Sequence, residues 1–114
     1  MRTAKLGELE VSVIGLGCNN LGRALDREQS VVVVGAALDA GINVFDVSDN
    51  YGEGRAESYL GAALGRQRDQ VVIATKFGLP VPGVPGSGGA RPQYVRRAIE
   101  RSLSQLGTEY IDLY

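Results

Sequence analysis

The fold is decided by residues 26–46, D-R-E-Q-S-V-V-V-V-G-A-A-L-D-A-G-I-N-V-F-D. Asp26 can cap a helix, and Gln29 at the third helical position completes a capping box, so a helix begins here. Val31, Val34 (or Val32), Leu38 and Gly41 follow at helical spacing, and Gly41 is suited to a C-terminal stop. Residues 42–46 (I-N-V-F-D) then read directly as a short apolar strand. A helix delivered straight into a strand is the repeating unit of a parallel α/β sheet.

The same unit recurs on either side. Thr3 to Leu6 and Leu9 to Val13, separated by Gly7-Glu8, predict a leading hairpin. Residues 13–17 (V-I-G-L-G) predict a strand covered on both faces. A second helix is expected from about Arg55 to Leu64, with Leu60, Ala63 and Leu64 on its buried face and Gly65 at its end. Residues 71–77 predict a strand rich in β-branched residues. The third helix starts near Pro92, presents Val95, Ile99, Leu103 and Leu106 as its apolar stripe, and stops at Gly107. Residues 111–114 open a fourth strand. Between the third strand and third helix, residues 79–90 form a long Pro- and Gly-rich loop, either a mobile surface insertion or a lid over a site. Strand–helix alternation with right-handed crossovers fits an open doubly wound sheet or a closed eight-stranded barrel.

Composition narrows the function classes. With 12 Lys and Arg against 13 Asp and Glu, no basic stripe exists for a phosphate backbone, so no nucleic-acid partner is expected. No apolar run approaches the ~20 residues of a membrane span, and no membrane association is expected. There is one cysteine and no histidine, so neither an internal disulfide nor a histidine metal cluster is expected, and a cytoplasmic location is the default.

Chemistry is suggested at the strand ends. Ile42, Val44 and Asp46 share one strand face, as do Val72, Ala74 and Lys76 on the next strand. An acid and an amine would then project together at the C-terminal rim, as a structural salt bridge or as a catalytic pair. Tyr51 lies five residues after Asp46, in the loop overhanging that rim. It is a packed loop aromatic or the third member of a proton-donating set. A phenol with pKa ~10 is a poor acid at neutral pH, and a neighbouring ammonium improves it.

These residues stand in a recognisable order. Phe45-Asp46-Val47-Ser48-Asp49-Asn50-Tyr51-Gly52, then Arg55-Ala56-Glu57-Ser58-Tyr59-Leu60-Gly61, resembles the aldo-keto reductase signature F-D-T-A-x-x-Y-G followed by S-E-x-x-L-G. Ala74-Thr75-Lys76-Phe77-Gly78 resembles the segment bearing that family's catalytic lysine. Leu106 to Tyr114 is similar to its L-x-T-x-Y-I-D-L-Y stretch, and Ile14-Gly15-Leu16-Gly17 to its first barrel strand. Val47, Ser48 and Ala56 are small departures from the pattern.

The resemblance implies that residues 1–114 are the N-terminal half of a TIM (β/α)8 barrel: a hairpin followed by four strands. It implies Tyr51 as general acid, Lys76 as the group that lowers its pKa, and Asp46 as the partner of Lys76 near the nicotinamide ribose. Gly17, Cys18 and Asn19 would line the cofactor, with Cys18 where the family often has Thr. The implied reaction is hydride transfer from NADPH, less often NADH, to a small-molecule aldehyde or ketone. Glu57 is expected to be a structural residue anchoring its helix. The family's catalytic His follows the I-D-L-Y stretch by three residues, beyond Tyr114, and its adenosine-phosphate contacts lie on later strands. A reductase-like regulatory or sensing module that binds nicotinamide without efficient turnover would share this first half. A Rossmann-type domain is disfavoured, because Gly15, Gly17 and Gly22 misplace the third glycine of G-x-G-x-x-G, and Asp46 falls nearly thirty residues past Gly17 instead of roughly twenty.

Half of such a barrel leaves a strand edge unpaired and an apolar face open to water. The isolated 114-residue chain is therefore expected to be unstable, to aggregate or to associate with another half, and to be inactive because the implied His and the rest of the cofactor site are not in it. Sedimentation and thermal melts check this, a cooperatively unfolding monomer being the contrary outcome.

Overall fold

A computed structural model describes all of residues 1–114. Strands β1 (Thr3–Leu6) and β2 (Leu9–Ser12) form the leading antiparallel hairpin, with Thr3 opposite Ser12 and Leu6 opposite Leu9. Gly7 takes φ 61° in the turn, a left-handed conformation that glycine adopts without steric cost. The hairpin is tied to the rest by Asn43, whose side chain accepts from the Ser12 amide at 2.7 Å and donates to the Glu10 carbonyl at 3.0 Å.

A separate parallel sheet runs β3 (Leu16–Gly17), β4 (Val44–Asp46), β5 (Val72–Ala74), in that spatial order. Its register places Gly17 beside Asp46 and Asp46 beside Ala74. Helix α1 (Arg27–Asp39) connects β3 to β4, and α2 (Ala56–Leu64) connects β4 to β5. The capping box at Asp26 and Gln29 forms in both directions, at 2.8 and 3.0 Å. After β5 the chain runs through residues 79–90 into α3 (Pro92–Leu106), which ends on Gly107 in the left-handed conformation.

The core lies between the sheet and α1–α2. Phe45, Val47 and Ile73 point into it and are wholly buried, packed with Val34, Leu60, Ala56 and Cys18. Their neighbours in sequence, Asp46 and Ala74, face the other way. This alternation is the pleat expected of a sheet with helices on one face.

Four expectations need correction. Val13 and Ile14 are about half exposed and only Leu16–Gly17 is strand, because β3 pairs with β4 along one edge and no segment of the chain lies along the other. In α1 the buried positions are Ser30, Val34 and Ala37, while Val31 and Val32 face solvent. In α3 they are Tyr94, Ala98, Ser102 and Leu106, and Val95, Ile99 and Leu103 are only half-buried. Each buried face includes Ser and Ala positions, Ser30 and Ala37 in α1 and Ala98 and Ser102 in α3, where backbones can approach. The fourth strand is reduced to one parallel bridge, Ala74 to Leu113, with Thr75 N donating to Leu113 O at 3.0 Å.

The long loop is internally bonded: the Ser87 hydroxyl accepts from the Val81 amide at 2.8 Å, and Gly89 N donates to Gly78 O at 2.8 Å. Val81 is buried, and a cavity of about 210 Å³ lies between this loop and Tyr94, Ala98 and Arg101 of α3. The loop leans on α3 and shares no cavity with Tyr51 or Lys76.

Helices α2 and α3 approach each other closely at Gly61. A Cβ on Gly61 of α2 would collide with the Leu106 carbonyl at the end of α3. Gly→Ala inside a helix normally gains up to about 1 kcal/mol, but overpacking of this kind costs about 1–3 kcal/mol. Gly61→Ala is thus expected to lower stability in urea unfolding, against its propensity.

Candidate active site

The rim at the C-terminal ends of β3–β5 is built by strand parity. Asp46 closes β4 on the open face, and Lys76, two residues past Ala74, reaches the same face from β5. The Lys76 ammonium donates to Asp46 Oδ1 at 2.9 Å, to the Val47 carbonyl at 2.7 Å and to the Tyr51 phenol oxygen at 3.4 Å. It also sits 4.9 Å from the centroid of the Tyr51 ring. Residues that are 30 and 25 positions apart in sequence are thereby joined at one nitrogen.

The Lys76 and Asp46 side chains are 47% and 54% exposed. Ion pairs this open contribute only about 0–1 kcal/mol to folding. Burial works to lower the Lys76 pKa. Hydrogen bonding to Asp46 and its charge, with Tyr51, outweigh that and hold the pKa above the usual lysine range. Lys76 is therefore a cation beside the phenol at neutral pH.

Tyr51 is placed by an unusual turn. It opens a short 3-10 segment, Tyr51–Gly54, in which Gly52 and Glu53 both have left-handed backbones, with φ 59° and 56°. Gly52 is obligatory, since a Cβ there would strike the Leu21 carbonyl. Glu53 is the one non-glycine residue with positive φ, a conformation that costs energy and concentrates at functional sites. Arg55 secures the turn by donating to the Gly22 carbonyl at 2.7 Å.

The cofactor candidates divide. Gly17 lies next to Asp46 in register, and a Cβ there would meet nothing within 4 Å, so its face of the strand is open. Asn19 is exposed and lines a polar groove of about 390 Å³ with Arg23, Asn50, Tyr51, Gly52 and Glu53. Cys18 departs from expectation. It is wholly buried among core residues, its Sγ directed to the Leu16 carbonyl at 3.6 Å, so its side chain offers a ligand no surface. Strand alternation is the cause: if Gly17 faces the rim, the next residue faces the helices.

Sequence reasoning missed Arg23, Asn50 and Glu53 as groove residues. Only the position of Asn50 beside Tyr51 could have signalled one of them. Glu57, expected to anchor its helix, is completely buried and accepts from Thr75 Oγ1 at 2.6 Å.

Residues 13–114 match the model of the Aldo/keto reductase family. The chain belongs to that family. It is 37% identical over 120 residues to an uncharacterized oxidoreductase of Bacillus subtilis, YqkF, all of this chain aligning with 38% of that protein. It is 38% identical over 122 residues to probable aldo-keto reductase 1 of Glycine max, of which it covers 35%. The holo form of the aldo-keto reductase AKR11C1 from Bacillus halodurans superposes with a TM-score of 0.89 at 36% identity, covering 100% of this chain and 39% of the other. The chain thus spans 35–38% of the length of these curated relatives. No helix is long and apolar enough to cross a membrane.

Burial pushes the Cys18 thiol up to about 12, the Asp46 charge adding to the effect and Lys76 opposing it. The thiolate is the reactive form. At pH 8 the native protein is expected to leave Cys18 unmodified by a thiol-specific chromogenic reagent, with one equivalent reacting after denaturation.

Proposed function

We propose that the protein carrying this chain is an oxidoreductase that reduces the carbonyl of a small aldehyde or ketone with hydride from NADPH, NADH being the less common donor. In this reading residues 1–114 supply the hairpin and the first strands of a (β/α)8 barrel. The observation that carries the reading is the convergence of Asp46 and Tyr51 on the Lys76 ammonium at an open strand-end rim. Family membership and the likeness to a holo-form reductase support it.

The rim fits one end of a nicotinamide cofactor. Gly17 leaves open space on the strand face beside Asp46, and Asn19 presents an exposed amide at the mouth of the polar groove. Gly17, Asn19 and Asp46 would hold the nicotinamide end, Asp46 through a ribose hydroxyl; the buried Cys18 would contribute only packing beneath them. The cofactor, when bound, supplies the hydride.

The chain's own residues handle the proton. Tyr51 donates its phenolic proton to the carbonyl oxygen as negative charge develops there. The Lys76 ammonium at 3.4 Å then stabilises the charge left on the phenol oxygen. Asp46, at 2.9 Å, keeps Lys76 protonated and aimed. The Val47 carbonyl fixes a second direction of the ammonium, so the cation cannot swing into solvent without losing two bonds.

Tyr51→Phe removes the proton donor, and with it one acceptor of Lys76, while leaving the Lys76–Asp46 pair in place. In the full-length polypeptide it is expected to lower kcat for aldehyde reduction by on the order of 10²-fold or more, with NADPH affinity within about twofold of the parent. NADPH consumption and fluorescence titration measure the two quantities. Unchanged kcat would remove Tyr51 from the chemistry.

A further inference from the structure

Beneath the rim, on the helix side of β5, three buried side-chain atoms lack a hydrogen-bond partner: Glu57 Oε2, Asp49 Oδ1 and Ser102 Oγ. They come from α2, from the loop after β4 and from α3. Glu57 is the centre of the group. It is 0% exposed, and its other oxygen holds the Thr75 hydroxyl at 2.6 Å. Thr75 is the residue before Lys76, and Glu57 sits on the helix that continues directly from the Tyr51–Gly54 turn. The Thr75–Glu57 bond is the only side-chain hydrogen bond between α2 and the strand segment that carries Lys76.

We infer that Glu57 is a positioning residue for the Tyr51–Lys76 pair, setting their separation by tying Thr75 to the helix that follows Tyr51. This role rests on the reductase reading for its catalytic meaning, though the tether itself does not.

The complete burial of Glu57, with no salt-bridge partner, favours its neutral form in this role. A carboxylate here would have only the Ser102 hydroxyl as a donor for Oε2, in a site where burial makes a charge costly. A carboxylic acid can accept from Thr75 through Oε1 and donate to Ser102 Oγ through Oε2, satisfying the same two atoms without a buried charge. Ser102 lies near enough to act on Glu57. The charged groups facing Glu57 are Asp49 from the loop and Arg101 from α3, and Tyr114 also feels its charge. Burial raises the Glu57 pKa most; Thr75 and Ser102 oppose this, Asp49 adds to it and Arg101 opposes it, leaving the value above the usual carboxyl range. Asp49 is likewise raised, chiefly by burial.

Glu57→Gln preserves an acceptor for Thr75 and a donor for Ser102, whereas Glu57→Ala removes both. Thr75→Val removes only the hydroxyl and guards against an Ala variant that does not fold; Thr75→Ser restores the hydroxyl. All are to be made in the full-length polypeptide and read in two ways. The first is kcat for aldehyde reduction across pH together with NADPH affinity. The second is the Nζ titration of Lys76 by NMR with ¹⁵N-lysine, which needs no turnover.

The expected result is that Thr75→Val and Glu57→Ala lower kcat about tenfold or more, leave NADPH affinity within about twofold, and move the Lys76 midpoint down toward the ordinary lysine value. Glu57→Gln and Thr75→Ser are expected to match the parent in kcat, pH profile and Lys76 midpoint. If Thr75→Val and Glu57→Ala reduce only the melting temperature, the role is structural and the inference fails. If Glu57→Gln behaves like Glu57→Ala, the neutral-acid form is wrong. If the parent and Tyr51→Phe are equally inactive, the reductase reading falls while the Lys76 titration still decides the tether.

Discussion

The parallel pairing of β4 with β5, running from Val44–Val72 to Asp46–Ala74, determines where every polar group of the rim can stand. Side chains alternate along a strand, so a slip of one residue would turn Phe45 and Thr75 to the open face and Asp46 into the core. Several bonds outside the ladder prevent that slip. Val72 N donates to Asn43 O at 2.7 Å and Val47 N to Ala74 O at 2.9 Å, extending the pairing at both ends. From the far side, Asp112 Oδ2 accepts from Ile73 N at 2.9 Å while paired with Arg68 at 2.8 Å. That second contact is polar and mostly buried, so it resists displacement better than the exposed pair at the rim.

The energetics separate the site from its support. Phe45, Val47 and Ile73 are wholly buried on one face of the sheet, and each such side chain contributes about 1.5–3 kcal/mol when fully removed from water. Asp46 and Lys76, on the other face, are half in solvent and contribute little to folding. The pair adds little stability, yet three directed bonds on one ammonium fix its geometry, which is what the proposed proton transfer requires. The core residues between the polar ones supply the rigidity that such an arrangement needs.

Much of this was legible because it is encoded locally. The Asp26–Gln29 capping box, the Gly7 turn and the stops at Gly65 and Gly107 each depend on residues a few positions apart, and each forms. The Asp46–Lys76 approach was legible from parity, once two parallel strands were assumed. What failed was the reading of apolar spacing as burial. In α3 the track Val95, Ile99, Leu103 is the more apolar, yet Tyr94, Ala98, Ser102 and Leu106 are the more buried. The helix is turned by its approach to α2, where Gly61 admits the Leu106 carbonyl, and no hydrophobicity pattern records a backbone contact. Cys18 failed for a related reason: a motif placed it beside Gly17, and alternation put its side chain on the opposite face. The groove residues Arg23 and Glu53 were invisible because a left-handed backbone at Glu53 is not written in its residue type.

The acids beneath the rim bear on why the site is built as it is. Glu57 and Asp49 have folded-state pKa values raised above their ordinary ones. A group raised in this way favours the folded state fully only below its unfolded pKa, and that advantage is lost as pH rises through its folded value. Above their unfolded pKa values the two buried acids therefore cost stability relative to a neutral isostere. An apolar residue at position 57 would fill the same volume between α2, α3 and β5 without that cost. It could not hold the Thr75 hydroxyl, and the strand end bearing Lys76 would then be secured to α2 by packing alone. Packing fixes distances loosely for a residue at the open edge of a sheet, whereas a 2.6 Å hydrogen bond fixes both distance and direction. The chain gives up stability at Glu57 in exchange for the position of one backbone segment, and that segment carries the cation on which the rim converges.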